Sequence, residues 1–175
     1  MKKLLLIVLL LVGCSNKNDI NKFKEEYEAL NDSNIEVNID SNYNIRYLNI
    51  DEVVTFLEND TGILFFGIAN DGMTRSVVET LLEVAEKNNL DLYYYNPSNI
   101  EESESFAKMI GILNDYLQTN EDDQKVLSVP DVYFVKEGKI VGNHYGTVNS
   151  NNVILNEEEK EELYNIYNEV AQGVK

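Results

Sequence analysis

The stretch from Gly62 to Ile68 is almost wholly apolar, with Ile63-Leu64-Phe65-Phe66 at its centre. A strand of that kind has no side to turn toward water. It calls for parallel neighbours in a sheet covered by helices on both faces. The flanking patterns supply that cover. Ile45 to Leu48 reads as a strand, Asp51 to Leu57 as a helix, Thr74 to Asn88 as a helix, Leu90 to Tyr95 as a strand and Ile100 to Gln118 as a helix. Beyond an acidic loop at Asn120 to Gln124, strands at Asp131 to Val135 and Lys139 to His144 meet at Lys136-Glu137-Gly138, where the glycine suits a tight hairpin. A final helix from Glu157 to Ala171 starts at an Asn156 cap with Glu159 three residues on, and aligns Leu163, Ile166, Tyr167 and Val170 on one face. Strands alternating with helices and ending in a hairpin imply an α/β class fold. The expected architecture is a three-layer α/β/α sandwich whose mixed sheet ends in an antiparallel edge hairpin. With 43% hydrophobic residues in 175, the chain can bury one core.

The charge balance and the cysteine count narrow the chemistry. Fourteen basic against 31 acidic side chains leave a net charge of -17, a field that repels phosphate backbones, so no nucleic acid is expected as a partner. The single cysteine, Cys14, permits no internal disulfide, no two-cysteine redox motif and no cysteine-based zinc site. No cofactor and no metal are expected. His144, the only histidine, lacks evident partners for a metal or general-base role. Glu121, Asp122 and Asp123 lack the spacing and glycine of a calcium loop and read as a solvated turn. Tyr93, Tyr94 and Tyr95 alternate faces of a strand, which makes them core and rim rather than a binding cage.

The N-terminus has a separate logic. Lys2 and Lys3 precede nine apolar residues, Leu4 to Val12, too few to span a bilayer but suited to the apolar region of an export signal. Leu11-Val12-Gly13-Cys14 resembles the lipobox of bacterial lipoproteins. The resemblance implies that residues 1–13 are a cleaved signal peptide and that Cys14 carries the lipid. Each buried methylene contributes about 0.8 kcal/mol, so a stable anchor needs two or more acyl chains. Residues 14–43 are then a tether and spacer, with a short charged helix at Ile20 to Leu30 and one strand at Ile35 to Ile39. The folded domain is expected over 44–175.

Gly62 to Ala85, followed by Val129-Pro130-Asp131-Val132-Tyr133-Phe134-Val135-Lys136-Glu137-Gly138-Lys139-Ile140-Val141-Gly142, resembles a thioredoxin-fold protein. The likeness runs from about Asn44 to Gln172 and is strongest to thioredoxin-like lipoproteins and bacteriocin-transport accessory proteins of Gram-positive bacteria. It places the Cys-x-x-Cys loop on Asp71-Gly72-Met73-Thr74, where both cysteines are absent. Neither Asp71 nor Thr74 can form a mixed disulfide, since the attacking species is a thiolate. Phe65 stands where the family often keeps a buried acid, and Glu79 replaces the helix proline. Asp71 can cap the helix that follows or join Thr74 and Arg75 in a polar pocket, and Arg75 can equally be a solvated first-turn residue. The resemblance also implies a cis peptide at Val129-Pro130, where the backbone of Val129 pairs with an extended client without any sulfur.

The sequence thus predicts an exported lipoprotein, held on the outer face of the cytoplasmic membrane of a Gram-positive bacterium and inactive in thiol-disulfide exchange. Its expected role is to bind an extended peptide or protein partner in the cell envelope, with Asp71, Thr74, Arg75, Val129 and Pro130 forming the groove. Two alternatives stay open. One is an enzyme with non-thiol chemistry at that groove, which requires a pocket with convergent polar groups and a group titrating near neutral pH. The other is a structural part of an envelope complex.

Overall fold

The computed structural model describes residues 17–32, 34–148 and 153–175; Cys14 and the apolar run before it lie outside the described residues. In chain order the elements are α1 (Lys17–Glu28), β1 (Ile45–Tyr47), α2 (Ile50–Asn59), β2 (Gly62–Phe66), α3 (Gly72–Asn88), β3 (Leu92–Tyr95), α4 (Glu104–Leu113), β4 (Gln118–Thr119), β5 (Lys125–Val126), β6 (Asp131–Lys136), β7 (Lys139–Tyr145) and α5 (Glu157–Gln172). The main sheet runs β1-β3-β2-β6-β7. β3 is parallel to both β1 and β2, while β6 is antiparallel to β2 and β7 to β6.

β2 lies at the centre, and its five residues are all buried. Ile63 and Phe65 point into a core shared with α1, α3 and α5, and Leu64 and Phe66 into one shared with α2 and α4. This is the three-layer α/β/α sandwich with the antiparallel edge hairpin that the apolar run requires. Its sheet order is thioredoxin-like, and the Val129-Pro130 peptide is cis. Tyr94 turns to the first core, Tyr93 to the second, with Tyr95 packed against it.

Local chemistry sets the element ends. Asn49 with Glu52 and Asn156 with Glu159 form reciprocal capping boxes at α2 and α5. The β6–β7 turn places Glu137 at φ 50° and Gly138 at φ 71°, and the backbone oxygen of Glu58 leaves no room for a Cβ at Gly138. α4 is shorter than the expected Ile100 to Gln118. A 3-10 turn at Pro97–Asn99 precedes it, and the Ser103 side chain accepts from the Phe106 N–H and caps its start. The acidic loop at 120–124 closes a small hairpin between β4 and β5.

The largest departure from the expected boundary at residue 44 lies in the N-terminal segment. Phe23 and Tyr27 of α1, with Val37 and Ile39, are buried in the same core as β2. Phe23 stacks on Tyr27 at 4.4 Å between ring centroids and meets Tyr94 edge-on at 4.9 Å. No strand forms at 35–39, because side chains satisfy its backbone. Asn31 bonds both the N–H and the C=O of Val37, Glu79 accepts from the Asn38 N–H at 2.6 Å, and Glu28 accepts from the Ile39 N–H at 2.9 Å. Residues 17–32 and 34–43 therefore belong to the folded body rather than hanging from it. Phe23→Ala removes a buried ring that has no water to replace it, and a loss of about 3–5 kcal/mol is expected. The urea midpoint of the full chain measures it, and an unchanged midpoint would mean that α1 is not part of the core.

Candidate functional site

Asp71 caps α3, its carboxylate accepting from the Thr74 N–H at 2.7 Å. Around that first turn the loop is crowded. A Cβ at Gly72 would lie 2.5 Å from Val153 and 3.8 Å from Ile35, so segments from both ends of the chain crowd the start of α3, while Asp71 itself stays half-buried. Thr74 is fully buried, and its hydroxyl oxygen has no hydrogen-bond partner. Phe65 packs against Tyr94 in the core, leaving no carboxyl on β2.

Arg75 is 6% exposed, which sets aside a solvated first-turn role. Its guanidinium donates to the Tyr27 carbonyl at 2.7 Å, the Asn31 side-chain oxygen at 2.8 Å, and the Ala69 and Ile35 carbonyls at 3.4 Å. No carboxylate lies within ion-pair distance among the described residues. Neutral oxygens make all its hydrogen bonds, with Asp32 acting on it only from beyond ion-pair distance, and the fork locks the N-terminal segment onto α3. Arg75 is thus engaged by groups of the fold itself. Arg75→Ala leaves several buried acceptors empty and is expected to cost about 2–4 kcal/mol. Urea unfolding reads this directly, and a loss below about 0.5 kcal/mol would contradict the buttressing role.

The other half of the predicted groove is open. Val129 lines a cleft of about 690 Å³ whose walls include Ile68, Ile100, Phe106, Ile110 and Leu127, with Lys125 as its only charged lining residue. The β4–β5 hairpin, unexpected from the sequence, brings Lys125 and Val126 to its wall. The main chain of residues 127–129 makes no hydrogen bond to another described residue. An apolar trough beside free backbone donors and acceptors suits an extended chain, whose own N–H and C=O groups need partners while its side chains need burial. Arg75 lines a different cleft, with Ile35, Val153 and Lys160. The five expected groove residues therefore divide, with Val129 at the open cleft, Pro130 buried beside it, and Asp71, Thr74 and Arg75 around the crowded start of α3.

Sequence reasoning missed Asp131, the first residue of β6 and the one after Pro130. It is 1% exposed. Its carboxylate accepts from the Tyr133 hydroxyl at 2.6 Å and, more weakly, from the Asn143 amide at 3.4 Å. Burial, only partly offset by these donors, pushes its pKa up to about 7. The one signal in the sequence was an acid opening an otherwise apolar strand. His144, by contrast, is pushed below its ordinary range by burial, and its Nε2 finds no partner. Among the described residues no group of acids, histidines or cysteines is arranged to hold a metal ion, and no helix is long and apolar enough to cross a membrane.

The chain matches no protein-family model and no curated protein. Among solved structures it is similar to a thioredoxin from Trypanosoma brucei brucei, with 11% identity and a TM-score of 0.47 over 78% of this chain and 99% of that one. It is also similar to oxidized thioredoxin O2 from Arabidopsis thaliana, with 21% identity and a TM-score of 0.38 over 69% and 94% of the two chains.

The buried carboxyl makes stability depend on pH in a definite direction. The native state keeps the Asp131 proton up to about pH 7, whereas the unfolded chain releases it near the ordinary value of about 3.9. Between those limits the native state binds more protons, so this group's contribution falls by roughly 1.4 kcal/mol per pH unit and levels off above pH 7. Asp131→Asn keeps the shape and removes the titration. The difference in unfolding free energy, variant minus wild type, should therefore rise between pH 5 and pH 7. A pH-independent difference would show that Asp131 titrates normally.

Proposed function

We propose that this protein binds an extended, apolar peptide segment of a partner in the cell envelope. The segment pairs with the main chain of residues 127–129 and seats a large side chain in the cleft between Ile68, Phe106 and Ile110. The observation that carries this reading is the unpartnered backbone of 127–129 along an apolar cleft of about 690 Å³. In this reading the chain is exported, loses residues 1–13 and is held at the outer face of the cytoplasmic membrane of a Gram-positive bacterium by lipid on Cys14. α1 begins at Lys17, so the folded body would sit close to that anchor. Thiol-disulfide exchange is not part of the function, since the only cysteine is Cys14.

The reading as a non-thiol enzyme meets a specific difficulty. A group titrating near neutral pH exists in Asp131, but it is shut inside the sheet and does not line the cleft, whose walls are apolar. Catalysis needs the two together.

The chain contains no tryptophan, so a probe peptide Gly-Ser-Leu-Trp-Leu-Ser-Gly supplies the only indole in the mixture. Titration of the full chain should shift the indole emission to the blue and saturate. A peptide with Ser in place of Leu and Trp, labelled at its end, should not bind. Phe106→Ser should weaken binding by about ten-fold or more, equivalent to about 1.4 kcal/mol, and since Phe106 also packs on the second core its urea midpoint is measured to confirm that the variant is folded under the binding conditions. Equal binding by the variant, or none by the wild type, would refute the site.

A further inference from the structure

Asp131 stands where the docking edge joins the sheet. It follows Pro130 directly and begins β6, with Phe66 of β2 and Tyr145 of β7 as its register partners. The carbonyl of Pro130 accepts from the Gly146 N–H at 2.8 Å. The Asn143 amide that reaches Asp131 also reaches the Tyr116 carbonyl at 3.5 Å. The carboxyl is therefore the node that holds the start of β6, β7 and the turn after α4 in one arrangement, and residues 127–129 leave the sheet from that node. As a neutral acid it satisfies this setting. As an anion it has the Tyr133 hydroxyl, the Val132 N–H and a long contact to the Asn143 amide, and no cation within ion-pair distance among the described residues, so burial outweighs its donors.

The groups packed around it offer no compensation. From its own strand comes Tyr133, whose ring meets Tyr116 edge-on at 6.2 Å. From β7 come Asn143 and Tyr145, with His144 paired to Val132 and kept neutral by burial. From α5 comes Tyr167, whose own ionisation the Asp131 charge opposes, and from β2 comes Phe66. None of them is an ion-pair partner of the carboxyl.

We propose that Asp131 is the positioning residue of the docking edge: its protonated form fixes residues 127–129 for strand pairing, and loss of that proton loosens the edge and weakens peptide binding. The proposal rests on the docking reading above but makes a claim that can be tested without a ligand. Backbone order parameters of residues 127–129 from NMR relaxation of the isotope-labelled full chain should fall between pH 6 and pH 8 in the wild type and stay constant in Asp131→Asn. The affinity for Gly-Ser-Leu-Trp-Leu-Ser-Gly should fall about ten-fold over the same interval in the wild type, while the variant keeps the low-pH affinity throughout. A role limited to stability would leave both profiles flat, and flat profiles overturn the proposal. Failure of the peptide to bind at any pH overturns the docking reading, and the order parameters alone then decide whether Asp131 governs the edge.

Discussion

The Arg75 guanidinium holds together two parts of the chain that sequence reading keeps apart. One face of α3 must be covered, and α1 with residues 35–39 covers it because Arg75 gathers the carbonyls of Tyr27, Ile35 and Ala69 and the side chain of Asn31 around one buried charge. A cation held by neutral oxygens carries no ion-pair energy to spare, so the arrangement tolerates the loss of few of its partners. Its consequence reaches the site. With the N-terminal segment locked down, Ile35 lies over Gly72 beside Val153, and the loop that matches the thiol motif becomes part of a wall. The open surface moves to the side of Val129.

The departures from the thioredoxin pattern acquire structural roles on the same terms. Glu79, where the family has a helix proline, accepts the Asn38 N–H and helps to hold the segment without a strand partner. Phe65, where a buried acid is common, packs on Tyr94 within an aromatic cluster that α1 completes. A carboxyl is still buried near neutral titration, but on β6 rather than β2, where it faces no thiol.

The sequence made the sandwich legible because its strongest signals are local. An apolar run at 63–66, a Glu-Gly turn between β6 and β7, and asparagine caps with glutamate three residues on each dictate their own structure within a few residues. What it hid depends on distant groups. Residues 35–39 alternate like a strand, yet their backbone partners are side chains of Glu28, Asn31 and Glu79, which no periodicity announces. Arg75 looks like a first-turn surface residue until α1 is placed over it. Asp131 is an acid at the start of a strand, a position usually exposed, and only the packing of β7 and Tyr116 over it reveals a buried node. The apolar cleft was illegible for the same reason: its walls come from the end of β2, α4 and the β5 hairpin strand, segments tens of residues apart.

The central claim is that the docking surface lies along residues 127–129 and not over the loop from Asp71 to Thr74. Mapping backbone chemical shifts of the isotope-labelled full chain as Gly-Ser-Leu-Trp-Leu-Ser-Gly is added tests it most directly. The account predicts saturating shifts at the amides of Leu127, Ser128 and Val129, with intermolecular contacts from the indole to Phe106 and Ile110, and none at Asp71 to Arg75. Shifts confined to Asp71, Gly72, Ile35 and Val153 would contradict it and return the binding site to the covered loop.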